Sequence, residues 1–338
     1  MSNLVKDAAP AVGQHTRAPQ VTGTSGTSGA EHPPTHRKIS VRAQFVQSRW
    51  LYLLLTPGII YFALFRFGPM WDAQIAFKEF VPFLGVAGSP WVGFQHFEDF
   101  FGNPDFLRLT GNTLILASLS LLVVFPLTII MALLLNELRL QILKRTVQTL
   151  IYVPHFLSWT IVASLSYLLL ALDTGPLFEL LNRVMGTNID FLSNPDWFRP
   201  IIVVQDIWKN TGWGTIIFLA ALATVDQEQY EAAIIDGAGR WKRMWHITLP
   251  NIRGVIMVLL ILQIGQILDT GFEQIYLMTN ALNRQVADVF DTYVYFVGIT
   301  QGAYSYSTAV GLFKAVIGVV LIFGANWLAK RNNQAGLF

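Results

Sequence analysis

Six stretches of this chain each approach the run of about 20 mostly apolar residues that a helix needs to cross a bilayer core. They are residues 50–67, 112–135, 149–172, 200–225, 254–270 and 307–328. Lipid offers no partners to backbone N–H and C=O groups, so segments of this kind must satisfy them internally, as helices. The expected fold is all-α and integral to a membrane, with six transmembrane helices and both termini on one side. Composition agrees, since 53% of the 338 residues are hydrophobic and only 13% charged, too apolar a balance for an ordinary soluble chain. Pro57-Gly58 interrupts the first stretch, Pro126 the second and Pro154 the third. Membrane helices tolerate such residues where neighbours re-satisfy the freed backbone groups.

Lys and Arg placement orients the chain. Of 23 such residues, fifteen fall on the side of the termini and six on the other, with Lys209 and Lys314 inside the spans. The termini and the segment 226–252 are therefore expected to be cytoplasmic. Residues 1–48, rich in Gly, Ser, Thr and Pro, are expected to form a disordered cytoplasmic tail, 49–329 the six-span domain, and 330–338 a cytoplasmic C-terminus. No apolar core suited to a cleavable signal precedes Trp50, so the first span is expected to remain as an anchor. Longer segments, 71–111, 173–199 and 271–306, face outward. The first carries Trp91, Phe94, Phe97, Phe100 and Phe101, an aromatic set suited to the headgroup zone, and reads as a structured cap.

Several functions are excluded or disfavoured. The cations are scattered between apolar runs and form no continuous basic face, so no nucleic-acid partner is expected. Cysteine is absent, which removes disulfides, thiolate metal sites and cysteine nucleophiles. His155 and His246 have no second ligand at a metal-binding spacing, and no metal site is expected. No lysine is followed by Ser or Thr, so the chain holds no Walker A sequence.

Segment 226–252 is the most informative. Glu228, Glu231 and Asp236 come early and Arg240, Lys242 and Arg243 late, around Ala232, Ala233, Ile234 and Ile235. Acid first and base last complements a helix dipole, and alanine favours helix. The step Gly237-Ala238-Gly239 permits a sharp turn. The second helix, from Arg240, would carry Trp241, Trp245 and Thr248 on one face and be closed by Pro250. An L-shaped pair of short helices is expected.

The order Glu231-Ala232-Ala233, Asp236-Gly237-Ala238 and then Leu249-Pro250, placed before the penultimate span, resembles the EAA signature of ATP-binding-cassette importer permeases. Residues 51–327 look like the maltose-type carbohydrate permeases. Ile75-Ala76-Phe77-Lys78, Gly88-Ser89-Pro90-Trp91-Val92-Gly93, Tyr152-Val153-Pro154-His155-Phe156 and Ala287-Asp288-Val289-Phe290-Asp291-Thr292 are similar to strings of the polygalacturonan- and rhamnogalacturonan-type subgroup. Alginate-importer permeases also look similar. The resemblance implies the type I importer permease fold in a bacterial inner membrane, within a heterotetrameric core. Its partners would be a second homologous permease, two ATPase subunits that bind ATP and Mg, and an extracytoplasmic solute-binding protein. This chain itself would hold no cofactor. The resemblance further implies that Glu231, Ala232, Ala233, Asp236, Gly237, Ala238, Arg240 and Pro250 couple to the ATPase, with Glu231 making a salt bridge there.

Polar groups deep in a bilayer are costly and usually face a bundle interior or a water-filled path. Asp206, Trp208, Lys209, Asn210 and Trp213 on the fourth stretch, Gln266 and Asp269 on the fifth and Lys314 on the last are therefore candidates for a sugar path. Gln263, Gln266, Thr270 and Glu273 form a polar stripe. Lys209 and Lys314 either attract uronate carboxylates or snorkel and pair with Asp206 or Asp269. The expected cargo is an oligo- or polysaccharide, acidic in kind. The alternative is an ion-coupled secondary sugar transporter that uses the same charges as its ion site.

Overall fold

The computed structural model describes residues 48–331 and Gly336. The expected tail lies outside them except for Ser48, as does most of 330–338. Among the described residues the regular structure is helical, apart from an isolated bridge between Lys78 and Trp91. The chain divides after Tyr61. The described part of the first unit belongs to one helix, α1 (Arg49–Phe62), which continues through Pro57 with Thr56 Oγ1 donating back to the Tyr52 carbonyl (2.7 Å).

The second unit begins with a π-turn, Ala63–Phe67, then α2 (Gly68–Asp72) and a 3-10 turn, Ala73–Phe77. An outer cap comes after it, with α3 (Gly85–Gly88) and α4 (Gln95–Phe101). Long helices are next: α5 (Phe106–Leu119), a π-turn Ser120–Val124, and α6 (Phe125–Glu137). After them run α7 (Gln141–Tyr152), α8 (Trp159–Leu170), α9 (Pro176–Met185) and α10 (Pro195–Leu222). The expected L-shaped segment supplies α11 (Gln227–Ile235) and α12 (Arg240–Arg243), then a π-turn Met244–Thr248 and α13 (Leu249–Gly265). Short outer helices α14 (Phe272–Met278), α15 (Arg284–Ala287) and α16 (Phe290–Tyr295) lead to α17 (Tyr304–Arg331).

Four described helices are long and apolar enough to cross a membrane: Arg49–Phe77, Phe106–Glu137, Arg240–Gly265 and Tyr304–Arg331. The third expected span is not one straight helix. It is the pair α7 and α8, bent by 100° at the break between Phe156 and Trp159, just after Pro154. Val153–Phe156 tightens into a 3-10 turn, Leu157 is extended, and Ser158 restarts the helix by accepting from the Ile161 N–H (3.3 Å). The fourth expected span is α10, 28 residues long, which carries Asp196, Arg199, Asp206 and Lys209. Those charges separate it from the four more apolar spans.

Other prolines do not break their helices, and the reason is local. Pro69, Pro126 and Pro250 each stand two residues after a π-turn. In an α-helix a proline ring presses on the carbonyl four residues back and leaves it unbonded. Here that carbonyl belongs to Phe65, Leu122 or His246, each inside a widened turn. The widened turn is closed by an i+5 bond: Gly68 to Ala63, Phe125 to Ser120, or Leu249 to Met244. Pro250 therefore does not close the helix begun at Arg240, contrary to expectation; the helix runs on to Gly265. The inserted residue also rotates the rest of the helix. Trp241 and Trp245 remain exposed while Thr248 is buried.

Of the four side-chain clusters among the described residues, one lies beneath the cap (here the outer cluster) and one beside the elbow (the inner cluster). Phe100, Leu109, Leu268, Phe290 and Val310, with Phe106 and Phe313, make the outer one. Ala132, Leu133, Phe218, Leu222, Val225 and Ile252 make the inner one. Contacts of this sort, with interhelical hydrogen bonds, hold helices together in lipid, where burial gives little drive. Small residues permit the closest approaches. A Cβ on Gly212 of α10 would run into the Ile151 carbonyl at the end of α7.

The cap is tied down by polar contacts. The Lys78 ammonium donates to the Val86 carbonyl (2.7 Å), and the Phe80 N–H donates to Ser305 Oγ on α17 (2.9 Å). Further along the outer side, Asn103 Nδ2 donates to the Tyr293 hydroxyl (2.9 Å), which lies 3.2 Å from that of Tyr306. Burial first, and the Tyr306 hydroxyl second, push the Tyr293 phenol above its usual pKa. It remains a neutral hydroxyl at physiological pH.

Candidate functional site

Two adjoining cavities, of about 230 and 360 Å³, share Ser120, Asp206, Asn210, Gln263 and Gln266 in their walls. They form a polar groove between the α5–α6 segment, α10 and α13. Asp206 is central. Its carboxylate accepts from Ser120 Oγ (3.1 Å) and from Asn210 Nδ2 one turn on (2.6 Å). Among the described residues it forms no ion pair. Asn210 Oδ1 lies 3.3 Å from His155 Nδ1, and the His155 ring stacks on Trp213 with centroids 4.5 Å apart and planes 5° apart. Trp159 and Thr270 line the smaller cavity, Trp213 the larger.

Five of the eight expected path residues meet here: Asp206, Asn210, Trp213, Gln266 and Asp269. The other three point elsewhere. Trp208 faces a separate apolar cavity of about 600 Å³ with Val162, Leu177 and Trp197. Lys209 is buried, and its ammonium donates to the carbonyls of His155 (2.7 Å) and Leu157. These carbonyls lie where the α7–α8 bend interrupts the helical ladder. The same ammonium sits 5.3 Å from the centroid of the Trp159 ring. Lys314 donates to Asp269 (2.8 Å) and to Asp291, whose other oxygen accepts from the Thr270 N–H (3.3 Å). Lys314 thus pairs with Asp269, one of the two expected roles, and Lys209 takes backbone carbonyls in place of Asp206. The polar groups that face the groove are amide, hydroxyl and carboxylate, set among apolar side chains such as Leu116, Ile202, Phe218 and Leu259, and no Lys or Arg lines it. Sequence reasoning passed over Ser120 and His155, because neither belongs to a periodic polar stripe.

The coupling candidates are on the elbow formed by α11 and α12. The Asp226 carboxylate caps α11 by accepting from the Glu228 N–H (2.9 Å). At the other end Ala238 N–H bonds to the Ala233 carbonyl (2.8 Å) and Gly237 N–H to the Ile234 carbonyl (3.0 Å). This is a Schellman motif, whose left-handed position is Gly237 at φ +73°. The elbow is braced from behind by the Tyr230 hydroxyl against Thr248 Oγ1 (2.9 Å) and by Asn251 Nδ2 donating to Gln229 Oε1 (3.0 Å). Its front is bare. Glu231, Ala232, Asp236, Gly237, Arg240 and Pro250 are exposed, with Ala233 and Ala238 half-buried. Ile235 is 86% exposed. Among the described residues neither Glu231 nor Asp236 forms an ion pair.

Comparison with known proteins decides the family. The family described as "binding-protein-dependent transport system inner membrane component" matches residues 124–334. The chain belongs to that family. It is a membrane permease subunit of a binding-protein-dependent importer, and nothing in the comparisons supports an ion-coupled secondary transporter. The permease is 64% identical over 300 residues to protein LplB of Bacillus subtilis, covering 89% of this chain and 94% of that one. It is 54% identical over 295 residues to the polygalacturonan/rhamnogalacturonan transport system permease protein YteP of the same organism, covering 87% and 92%. Its fold matches a chain of the bacterial alginate transporter solved in complex with an alginate pentasaccharide-bound periplasmic protein. That match has a TM-score of 0.81 and 38% identity and covers 88% of this chain and 99% of the other. The permease therefore has the type I importer fold.

Proposed function

We propose that this permease passes oligosaccharides derived from acidic plant or algal polysaccharides across the bacterial inner membrane, with its termini and elbow in the cytoplasm. The similarity to a polygalacturonan/rhamnogalacturonan permease and to an alginate importer carries the substrate class. A second homologous permease completes the channel, and a solute-binding protein delivers sugar from outside. Two ATPase subunits bind ATP and Mg and hydrolyse it; this chain holds no cofactor. Glu231, Asp236 and Arg240, set on the small Ala232, Ala233, Gly237 and Ala238, dock on the ATPase, and Pro250 stands just beyond the π-turn that joins the elbow to α13. A bare acid beside exposed isoleucines suits a charged and apolar cleft on a partner.

The sugar path runs along the groove. Asp206, Asn210, Gln263 and Gln266 take sugar hydroxyls, and Trp159 and Trp213 offer flat apolar faces to the rings. Lys209 and Lys314 act behind this surface, the first by holding the bend just after Pro154 and the second by fixing Asp269 and Asp291. The test is uptake of labelled oligogalacturonides and alginate oligomers into vesicles that carry the assembled transporter. Uptake that needs both ATP and the binding protein supports the reading, and uptake by this chain alone on an ion gradient overturns it.

A further inference from the structure

A second groove, of about 370 Å³, opens at the inner end of the molecule, and all its lining side chains are apolar. Ile130, Leu133 and Leu134 of α6 form one wall and Trp241, Trp245 and Leu249 the other. Both walls continue into residues that read as membrane-spanning, so the groove lies where α6 and the helix ending at Gly265 approach the cytoplasmic surface. Trp241 and Trp245 are 69% and 61% exposed, and tryptophan favours the headgroup level. Cations flank the mouth. Arg139 stands two residues beyond the end of α6, and Arg240 and Lys242 lie in the first turn of the opposite wall; all three are exposed. Among the described residues none of the three has an ion-pair partner. Glu137, the last residue of α6, and Asp236, four residues before Arg240, are the acids close by in sequence, and neither forms an ion pair among the described residues.

An apolar slot at hydrocarbon depth, with the cations Arg139 and Lys242 outside every ion pair of the described residues and at headgroup height, matches one ligand chemistry: an acyl chain carrying an anionic head. We propose that this groove is a binding site for an anionic phospholipid of the cytoplasmic leaflet. One tail lies between α6 and the two tryptophans, and the phosphate sits between Arg139 and Lys242. Zwitterionic lipid would leave those charges uncompensated. Leu133, Met244 and Leu249 also belong to the packing behind the elbow, so the bound tail supports the wall from which the coupling segment projects.

The inference rests on the proposed orientation, which has its own control. The chain lacks cysteine, so a single Arg240→Cys variant labelled by an impermeant thiol reagent from the cytoplasmic side alone reports orientation independently of lipid. For the site, the complete transporter is placed in nanodiscs with phosphatidylglycerol or phosphatidylcholine carrying a photoactivatable tail, and the adducts are mapped. Adducts on 126–134 and 241–249 should favour phosphatidylglycerol by about fivefold or more, the factor expected for each cation near an anionic surface. Arg139→Gln with Lys242→Gln should bring the two lipids toward parity. Leu134→Trp, which fills the slot, should lower both yields while partner subunits still copurify. Equal labelling by the two lipids overturns the proposal, as does absence of adducts because a partner subunit covers the groove.

Discussion

The polar groove and the elbow of α11 and α12 are both rich in charged and amide groups, yet they treat them in opposite ways. In the groove and just behind it the named charges are engaged within the chain: Asp206 by Ser120 and Asn210, Lys209 by two backbone carbonyls, Lys314 by two carboxylates. On the elbow Glu231, Asp236 and Arg240 are exposed, and none of them forms an ion pair among the described residues. In a bilayer an unengaged charge is too costly to keep, whereas at an aqueous face it can wait for a partner. The engaged set suits the proposed passage and the bare set the proposed interface.

Substitutions that act on one region and spare the other test this contrast. The largest effect should come from Gly237→Asp. It adds a second acid beside Asp236 on the docking face, on top of the modest strain of a side chain at the left-handed position. A misplaced elbow loses a docking hot spot worth about 2 kcal/mol or more, about thirtyfold in affinity for the ATPase. Binding-protein-stimulated ATP hydrolysis at limiting ATPase subunit should fall to match. Sugar contacts in the groove should be unchanged.

Lys209→Met comes next. It leaves the His155 and Leu157 carbonyls without their donor at the bend, at about 1–3 kcal/mol for each buried group. The assembled transporter should melt several degrees lower, and Lys209→Arg should recover part of the loss. If Lys209 instead drew carboxylates to the path, Lys209→Met would abolish uptake of acidic sugars while sparing neutral ones, with no change in melting.

Asp206→Asn is milder. It keeps the shape and removes a charged acceptor, so the apparent KM for oligosaccharide should rise by about tenfold, on the scale of one charge-assisted hydrogen bond. ATPase subunits should stay bound. The smallest effect belongs to Gly237→Ala, since a Cβ there meets nothing within the chain and only the backbone conformation opposes it. A loss of about 1 kcal/mol is expected, read as a small fall in the melting of the elbow by hydrogen exchange.

Much of this architecture is legible in the residues themselves. The spans show because bilayer thickness imposes a length that composition reveals. The elbow shows because glycine and alanine stand in a fixed order between acid and base. The hidden features depend on contacts remote in sequence or on the register of a single turn. The span that holds Pro154 is bent by 100° just after it, at Leu157–Ser158, while the helices through Pro126 and Pro250 run on, each with a π-turn just upstream that leaves no periodic trace. The same bulge at Met244–Thr248 turns Thr248 inward, away from the face that a regular helix would give it. Lys209 gives no hint that its partners are carbonyls more than 50 residues away, because backbone carries no sequence signal.

The central claim is that the elbow holds the ATPase while the groove holds the sugar, each without the other. Copurification of the ATPase subunits with tagged permease measures it most directly, comparing Glu231→Lys with Asp206→Asn. Glu231→Lys should lose the ATPase subunits while keeping the second permease, and Asp206→Asn should retain both. Full retention of the ATPase by Glu231→Lys, or its loss from Asp206→Asn, would contradict the account.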